Sequence, residues 1–451
     1  MSVSTAIILQ NSVTPTMTLT LTQLIFSKTK NFWNSIKLSL AGQRQWFWQS
    51  CTEFGMFETT NGGPGNIFGM GVPLRLIMAL FFYFINMCTE VFGPKYNIDF
   101  IAKAVRETNI RYGGADGYRG TNVVITNGNN DPWTRLGKTT SYEESVVCFQ
   151  ITGAAHCADF AGRPPGFEIP EVEDARRIIV ENIEMWLQRP NNKLANLEQT
   201  WEMPRARTVY PKSKPIKAAA LPSHKAYPDW SRYKRMHLGR PPMGFVRPKP
   251  PKIKQMTQKA ERNFITQPMN HFNDDDMRVF QQKYYINSAY AKTGGPIFLV
   301  IGGETPMSSA WVEGQDMFHM VLAQKFGATV FALEHRYYGD SIVGGTVEDP
   351  NPDLKYLSSL QMLHDVAHFI RTKNAEMVNT SPWITFGGSY GGSLSIWTRV
   401  LFPDLVAGAV GSSPPLEAKL DLYEFMQLVG KSLGTYKDQP RFCKHLVSKV
   451  P

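Results

Sequence analysis

Three residues of this chain have the types and settings that acyl transfer needs: Ser389, His156 and Asp131. Ser389 lies in Gly387-Gly-Ser-Tyr-Gly391, a GxSxG pattern. The apolar run Trp383-Ile-Thr-Phe386 comes before it, and Ser393-Leu-Ser-Ile-Trp-Thr-Arg-Val-Leu401, which can form a helix, comes after. A strand that turns at once into a helix needs glycines beside the serine, because larger side chains there would strike neighbouring strands. Such a turn exposes the hydroxyl at the top of a sheet and aims the next backbone N–H, that of Tyr390, at a developing oxyanion. The bland alternative is a Gly-rich turn with an incidental serine.

A serine hydroxyl at its ordinary pKa needs a base, and the base needs a carboxylate to orient it. Asp131 stands in Asn127-Gly-Asn-Asn-Asp-Pro-Trp133, just after the apolar run Thr121-Asn-Val-Val-Ile-Thr126. His156 stands in Gly153-Ala-Ala-His-Cys-Ala-Asp159, just after Ser145-Val-Val-Cys-Phe-Gln-Ile151. A lone histidine is more often structural, but both residues follow a strand, where catalytic loops sit. Asp159 is the weaker candidate carboxylate, being three residues from His156 on what reads as the same loop. Gly302-Gly303-Glu304 ends another apolar run and is the natural source of a second oxyanion N–H, with an ordinary strand-ending turn as its alternative reading.

The elements that must carry these residues alternate. Gly295-Pro-Ile-Phe-Leu-Val-Ile301, Ala328-Thr-Val-Phe-Ala-Leu333, Trp383–Phe386 and Ala407-Gly-Ala-Val410 read as buried strands. Helical spacing over 313–326 and 358–372 separates them, and 172–187 forms an amphipathic helix with Ile178, Ile179, Ile183 and Trp186 on its apolar side. Apolar strands separated by helices predict an α/β architecture, a parallel sheet covered on both faces.

Length and composition frame this reading. The chain has 451 residues, 43% hydrophobic and 19% charged, enough for a sizeable core and too weakly charged for a mostly disordered chain. Its formal net charge is +10, yet residues 189–262 hold about 18 Lys/Arg against about 4 Asp/Glu, so the remainder is slightly acidic. That Pro- and Lys-rich stretch, without hydrophobic period, reads as a solvated linker, and no nucleic-acid partner is expected. The expected organisation is a poorly ordered segment at 1–43, globular segments at 44–188 and 263–451, and the linker between them. Five cysteines (Cys51, Cys88, Cys148, Cys157 and Cys443) are too few for a disulfide scaffold and lack zinc spacing, so no metal or cofactor is expected. No clear signal peptide is read at the start, and the longest apolar run, Leu76 to Ile85, is too short to span a membrane and reads as a buried helix. Asn379-Thr-Ser381 is a glycosylation sequon.

Several motifs together resemble one family. Phe264-Ile-Thr-Gln-Pro-Met-Asn-His-Phe272, Gly295-Pro-Ile-Phe298, Gly302-Gly-Glu304, Glu334-His-Arg-Tyr-Tyr-Gly339, Gly387-Gly-Ser-Tyr-Gly-Gly-Ser393 and Gly411-Ser-Ser-Pro-Pro415 resemble the amino-terminal half of the prolyl carboxypeptidase and dipeptidyl peptidase II family of serine peptidases. Gln49-Ser-Cys-Thr-Glu-Phe-Gly55, Tyr112-Gly-Gly114, Asn127–Trp133 and Ala155-His-Cys-Ala-Asp159 resemble its carboxy-terminal part. The nearest type is the tandem-unit, thymus-specific-peptidase-like branch. The resemblance implies an α/β-hydrolase sheet assembled from two half-units in permuted order, with the family's helical cap largely missing. It implies a Cys51–Cys88 disulfide, a partner for Cys443 beyond Pro451, and a lysosomal or secreted location.

The resulting expectation is a serine exopeptidase acting on peptides near proline, with Ser389, His156 and Asp131 as catalytic residues and Tyr390, Gly303 and Glu304 around the oxyanion. An esterase on the same fold and a catalytically inactive truncated homologue or binding protein are the competing readings. A homodimer is compatible with all three. The two globular segments are expected to pack as one sheet, since unpaired edges and exposed apolar faces favour their meeting.

Overall fold

The computed structural model describes residues 42–62, 83–160, 169–188, 260–345, 353–378 and 381–433. Its strands are β1 (Gly55–Phe57), β2 (Val123–Gly128), β3 (Val146–Ile151), β4 (Glu261–Pro268), β5 (Val279–Asn287), β6 (Ile297–Ile301), β7 (Thr329–Leu333), β8 (Trp383–Gly388), β9 (Gly408–Ser412) and β10 (Lys419–Asp421). The α-helices are α1 (Gln43–Gln49), α2 (Tyr83–Phe92), α3 (Ile98–Tyr112), α4 (Pro170–Gln188), α5 (Ala310–Glu313), α6 (Phe318–Phe326), α7 (Ser359–Met377), α8 (Tyr390–Leu401) and α9 (Tyr423–Leu433).

Eight strands form one sheet in the order β3-β2-β9-β8-β6-β7-β5-β4. From β3 to β7 all neighbours are parallel, and the β7–β5 and β5–β4 pairings at the far edge are antiparallel. This mostly parallel sheet, flanked by helices, is an α/β-hydrolase fold. The expected union of the two globular segments occurs at the β2–β9 pairing, whose register runs from Val123↔Ala409 to Thr126↔Ser412.

Strict alternation along the strands divides the core between the two faces. Val123, Ile125, Leu299, Phe331 and Leu333 pack with Leu363, Val366 and Phe369 of α7 and Leu394 and Trp397 of α8. Their neighbours Val124, Phe298, Val300, Val330 and Phe386 pack on the other face, with Ile179, Ile183 and Trp186 of α4 and Phe318 and Leu322 of α6. A strand buried on both sides must be apolar at every position, which is why these runs showed no period-2 pattern. Trp186 of α4 lies so close over β9 that a Cβ on Gly408 would stand 2.0 Å from its ring, so the two segments share a tightly packed core.

Away from the main sheet, β1 pairs in parallel with β10, again joining the two segments. A disulfide links Cys51 to Cys88, the pairing implied by the family resemblance, and ties the turn after α1 to α2.

Some boundaries differ from the sequence reading. The helical spacing over 313–326 resolves into α5 and α6, because the chain leaves helical geometry at Gly314 and re-enters it only after the extended Met317. The antiparallel β4–β5 pair was not foreseen, and β4 begins at Glu261, inside the stretch assigned to the linker. Asn379, Cys443, residues 1–41 and 189–259, and the start of the Leu76–Ile85 run lie outside the described residues. Among the described residues no helix is long and apolar enough to cross a membrane, and no group of three or more His, Cys, Asp or Glu could hold a metal ion.

Candidate active site

Strands β2, β3 and β8 are parallel, so the loops leaving their carboxyl ends emerge at one edge of the sheet, where open α/β sheets bind ligands. Asp131 follows β2, His156 follows β3, and Ser389 follows β8.

Ser389 caps α8 with φ 57° and ψ −131°, a backbone conformation costly to an L residue. The surroundings enforce it. Its N–H donates to the Ser412 carbonyl at 2.8 Å, fixing the turn to β9. A Cβ on Gly387 would lie 2.0 Å from the Gly391 carbonyl oxygen, and one on Gly391 would lie 2.6 Å from that of Ile301. Only glycine permits so sharp a reversal there.

Tyr390 opens α8, where N–H groups have no partner inside the helix. A Cβ on Gly303 would stand 3.0 Å from the Gly391 nitrogen, so the turn after β6 lies against this helix start. Glu304 is buried just beyond. The loop that follows is held by Glu334, which accepts from the Met307 N–H at 2.9 Å.

Asp131 is fully buried and caps the 3₁₀ turn Pro132–Leu136, its Oδ1 accepting from the Trp133 N–H at 3.0 Å. Its Oδ2 lies 2.7 Å from Nδ1 of His156. A carboxylate oxygen in that position accepts, so Nδ1 carries the proton and Nε2 is left with the lone pair a base uses. Burial pushes the imidazole pKa down, but interactions with the Cys157 side chain and the Asp131 carboxylate outweigh it and hold His156 well above the ordinary 6.5.

The His156 loop is fastened to the strands beside Ser389. Cys157 donates its N–H to Ser413 Oγ at 3.0 Å, and its Sγ would touch a Cβ on Gly388 at 3.2 Å. Ser389, Cys157 and Ser413 all have positive φ, at 57°, 52° and 50°. Non-glycine strain gathered in one place is characteristic of functional sites.

Other residues of this site escaped sequence reasoning. Gln49 donates from Nε2 to the Tyr390 phenol oxygen at 2.9 Å and accepts at Oε1 from the Tyr338 hydroxyl at 2.8 Å. The Tyr390 hydroxyl lies 3.1 Å from Nε2 of His335, and Nδ1 of His335 lies 2.7 Å from the Arg336 carbonyl oxygen. Burial lowers the His335 pKa to about 4, so the ring is neutral and its Nε2 accepts from Tyr390. Burial likewise drives the Tyr390 phenol well above its usual range, keeping it protonated. Asp159, the weaker candidate carboxylate, accepts from Thr126 Oγ1 at 2.7 Å and from Ser412 Oγ at 2.5 Å. Gln49 and the Glu334–Gly339 segment that holds His335 and Tyr338 were visible in sequence as part of the family resemblance, with no role attached, and Asp159 was visible as a rival to Asp131.

Over 171 residues the chain is 44% identical to a serine protease of Caenorhabditis elegans, covering 38% of this chain and 33% of that one. It is 41% identical over 177 residues to the thymus-specific serine protease of Mus musculus, covering 38% and 34%. It is 32% identical over 195 residues to the lysosomal Pro-X carboxypeptidase of the same organism, covering 41% and 38%. The chain thus spans about a third of the length of the curated relatives it matches. The model of the family described as serine carboxypeptidase S28 matches residues 2–179 and 267–450, most of the sequence, and the chain belongs to that family.

Proposed function

We propose that this chain is a serine exopeptidase that cleaves peptides near proline, with Ser389 as nucleophile, His156 as general base and acid, and Asp131 as the carboxylate that orients it. The observation that carries this reading is the buried Asp131–His156 pair at the same sheet edge as the strained Ser389 turn. In the first step Ser389 Oγ attacks the scissile carbonyl while His156 Nε2 takes its proton, and Asp131 stabilises the imidazolium that forms. The N–H of Tyr390 and an N–H from the Gly303–Glu304 turn receive the oxyanion. His156 then protonates the leaving amine, and water hydrolyses the acyl-enzyme by the same relay.

Proline preference and a lysosomal or secreted location are carried over from the lysosomal Pro-X carboxypeptidase relative. In this reading the first family match is the tail of one peptidase unit and supplies the acid and base loops, the second is the head of another unit and supplies the elbow, and the two stand in permuted order along the chain. Within the sheet that order is immaterial, because β2 pairs with β9 along their length.

A substrate panel tests the proposal: peptides with proline next to either terminus, peptides without proline, and simple aryl esters, each with the parent chain and Ser389→Ala. Release of a terminal residue or dipeptide beside proline, absent in Ser389→Ala, is the expected result. Turnover of esters alone would point to an esterase, and no turnover of any substrate by folded protein would point to an inactive homologue.

A further inference from the structure

Asp159 has no part in the proposed relay, yet it is almost completely buried within a few residues of His156. Its partners are unusual in their placement. Thr126 of β2 is the register partner of Ser412 on β9, and Ser412 is the register partner of Gly388 on β8. The three positions form one row across three parallel strands, ending beside Ser389. Asp159 accepts from the first two hydroxyls, and Cys157 and Phe160 of the same loop cover the third position, where Gly388 has no side chain. The Ser412 carbonyl at the centre of this row receives the Ser389 N–H. The loop is anchored again from outside, by Arg176 Nε of α4, which donates to the Asp159 carbonyl at 3.1 Å.

We infer that Asp159 is a positioning residue: its carboxylate locks the loop bearing His156 onto the β2–β9–β8 row and so sets where the imidazole stands relative to Ser389. This rests on the triad reading above. Burying a carboxylate between two neutral hydroxyls is a poor way to gain stability, since an apolar side chain would avoid the desolvation cost. It is a good way to fix a loop in two directions at once, because the two acceptor oxygens engage donors on different strands. Gly388 belongs to the same arrangement, since a Cβ there would stand 3.2 Å from Cys157 Sγ, tighter than an ordinary contact.

The test uses Asp159→Ala and Asp159→Asn in the full chain, with urea midpoints recorded so that rates refer to folded protein. The first readout is the downfield proton on His156 Nδ1, assigned by its loss in His156→Gln. The second is the rate of Ser389 acylation by a fluorophosphonate. In Asp159→Ala the resonance is lost or displaced although Asp131 is intact, and acylation slows about 100-fold. Asp159→Asn, which keeps one acceptor oxygen, recovers part of both. A folded Asp159→Ala protein with an unmoved resonance and a rate within about twofold of the parent would overturn the inference. Should that variant fail to fold, Thr126→Val and Ser412→Ala remove the partners instead, and an unmoved resonance in both would overturn it equally. If the parent chain is not acylated at all, the nucleophile reading fails, and the resonance alone decides the role of Asp159.

Discussion

The two halves of the site are built by different means. The elbow around Ser389 is made of backbone: adjacent strand and helix, glycines that admit no Cβ, and a positive φ clamped by one hydrogen bond to β9. The loops carrying Asp131 and His156 share backbone bonds, such as that from the Asn130 N–H to the Ala154 carbonyl at 3.0 Å, but they depend in addition on side chains: Asp131 on Trp133 and His156, Cys157 on Ser413, Asp159 on Thr126 and Ser412. A backbone device is local and rigid, and it can be written in five consecutive residues. A side-chain device depends on strands brought together from opposite ends of the chain, so its parts fail one at a time.

That contrast predicts where substitutions hurt most. Gly387→Ala should be the most damaging, since the new methyl meets backbone rather than a movable side chain; a loss of at least about 3 kcal/mol in urea unfolding is expected. Asp131→Asn attacks the other half and should leave the fold nearly intact while lowering the acylation rate by about four orders of magnitude, because the imidazole loses its tautomer. The same variant should alter the pH profile. His156 acts as a base only when neutral and its pKa is raised, so activity should fall with decreasing pH through a midpoint above 6.5. Without the Asp131 carboxylate that midpoint moves to lower pH, and a profile unchanged in Asp131→Asn would remove Asp131 from the site. Ser389→Gly should abolish acylation yet raise stability by about 1 kcal/mol, since glycine tolerates the strained φ; an unchanged or lower urea midpoint would mean the turn is not under strain. Thr126→Val removes one donor to the buried Asp159 carboxylate and should cost about 2 kcal/mol in urea unfolding.

The same contrast explains what the sequence revealed. The elbow was legible because glycines, serine and flanking apolar runs are contiguous. Asp131 and His156 were legible only by their position after strands, and the parallel sheet turned that position into proximity. Gln49 could not be found this way: its partner Tyr390 is 341 residues distant, and a glutamine at the end of a short helix gives no sign of what it will meet. Asp159 was read only as a rival to Asp131, because its true partners depend on the register of β2 against β9. The antiparallel β4–β5 edge was missed for a different reason. An edge strand exposed along much of one face carries little apolar signal, and four of the eight β4 residues are exposed.

The central claim, that residues from the two segments form one working site, is tested most directly by labelling the folded chain with a fluorophosphonate and comparing it with Ser389→Ala and His156→Ala. The expected result is stoichiometric labelling of the parent at Ser389, none in Ser389→Ala, and almost none in His156→Ala. Equal labelling of the parent and His156→Ala, or none in folded parent protein, would contradict it.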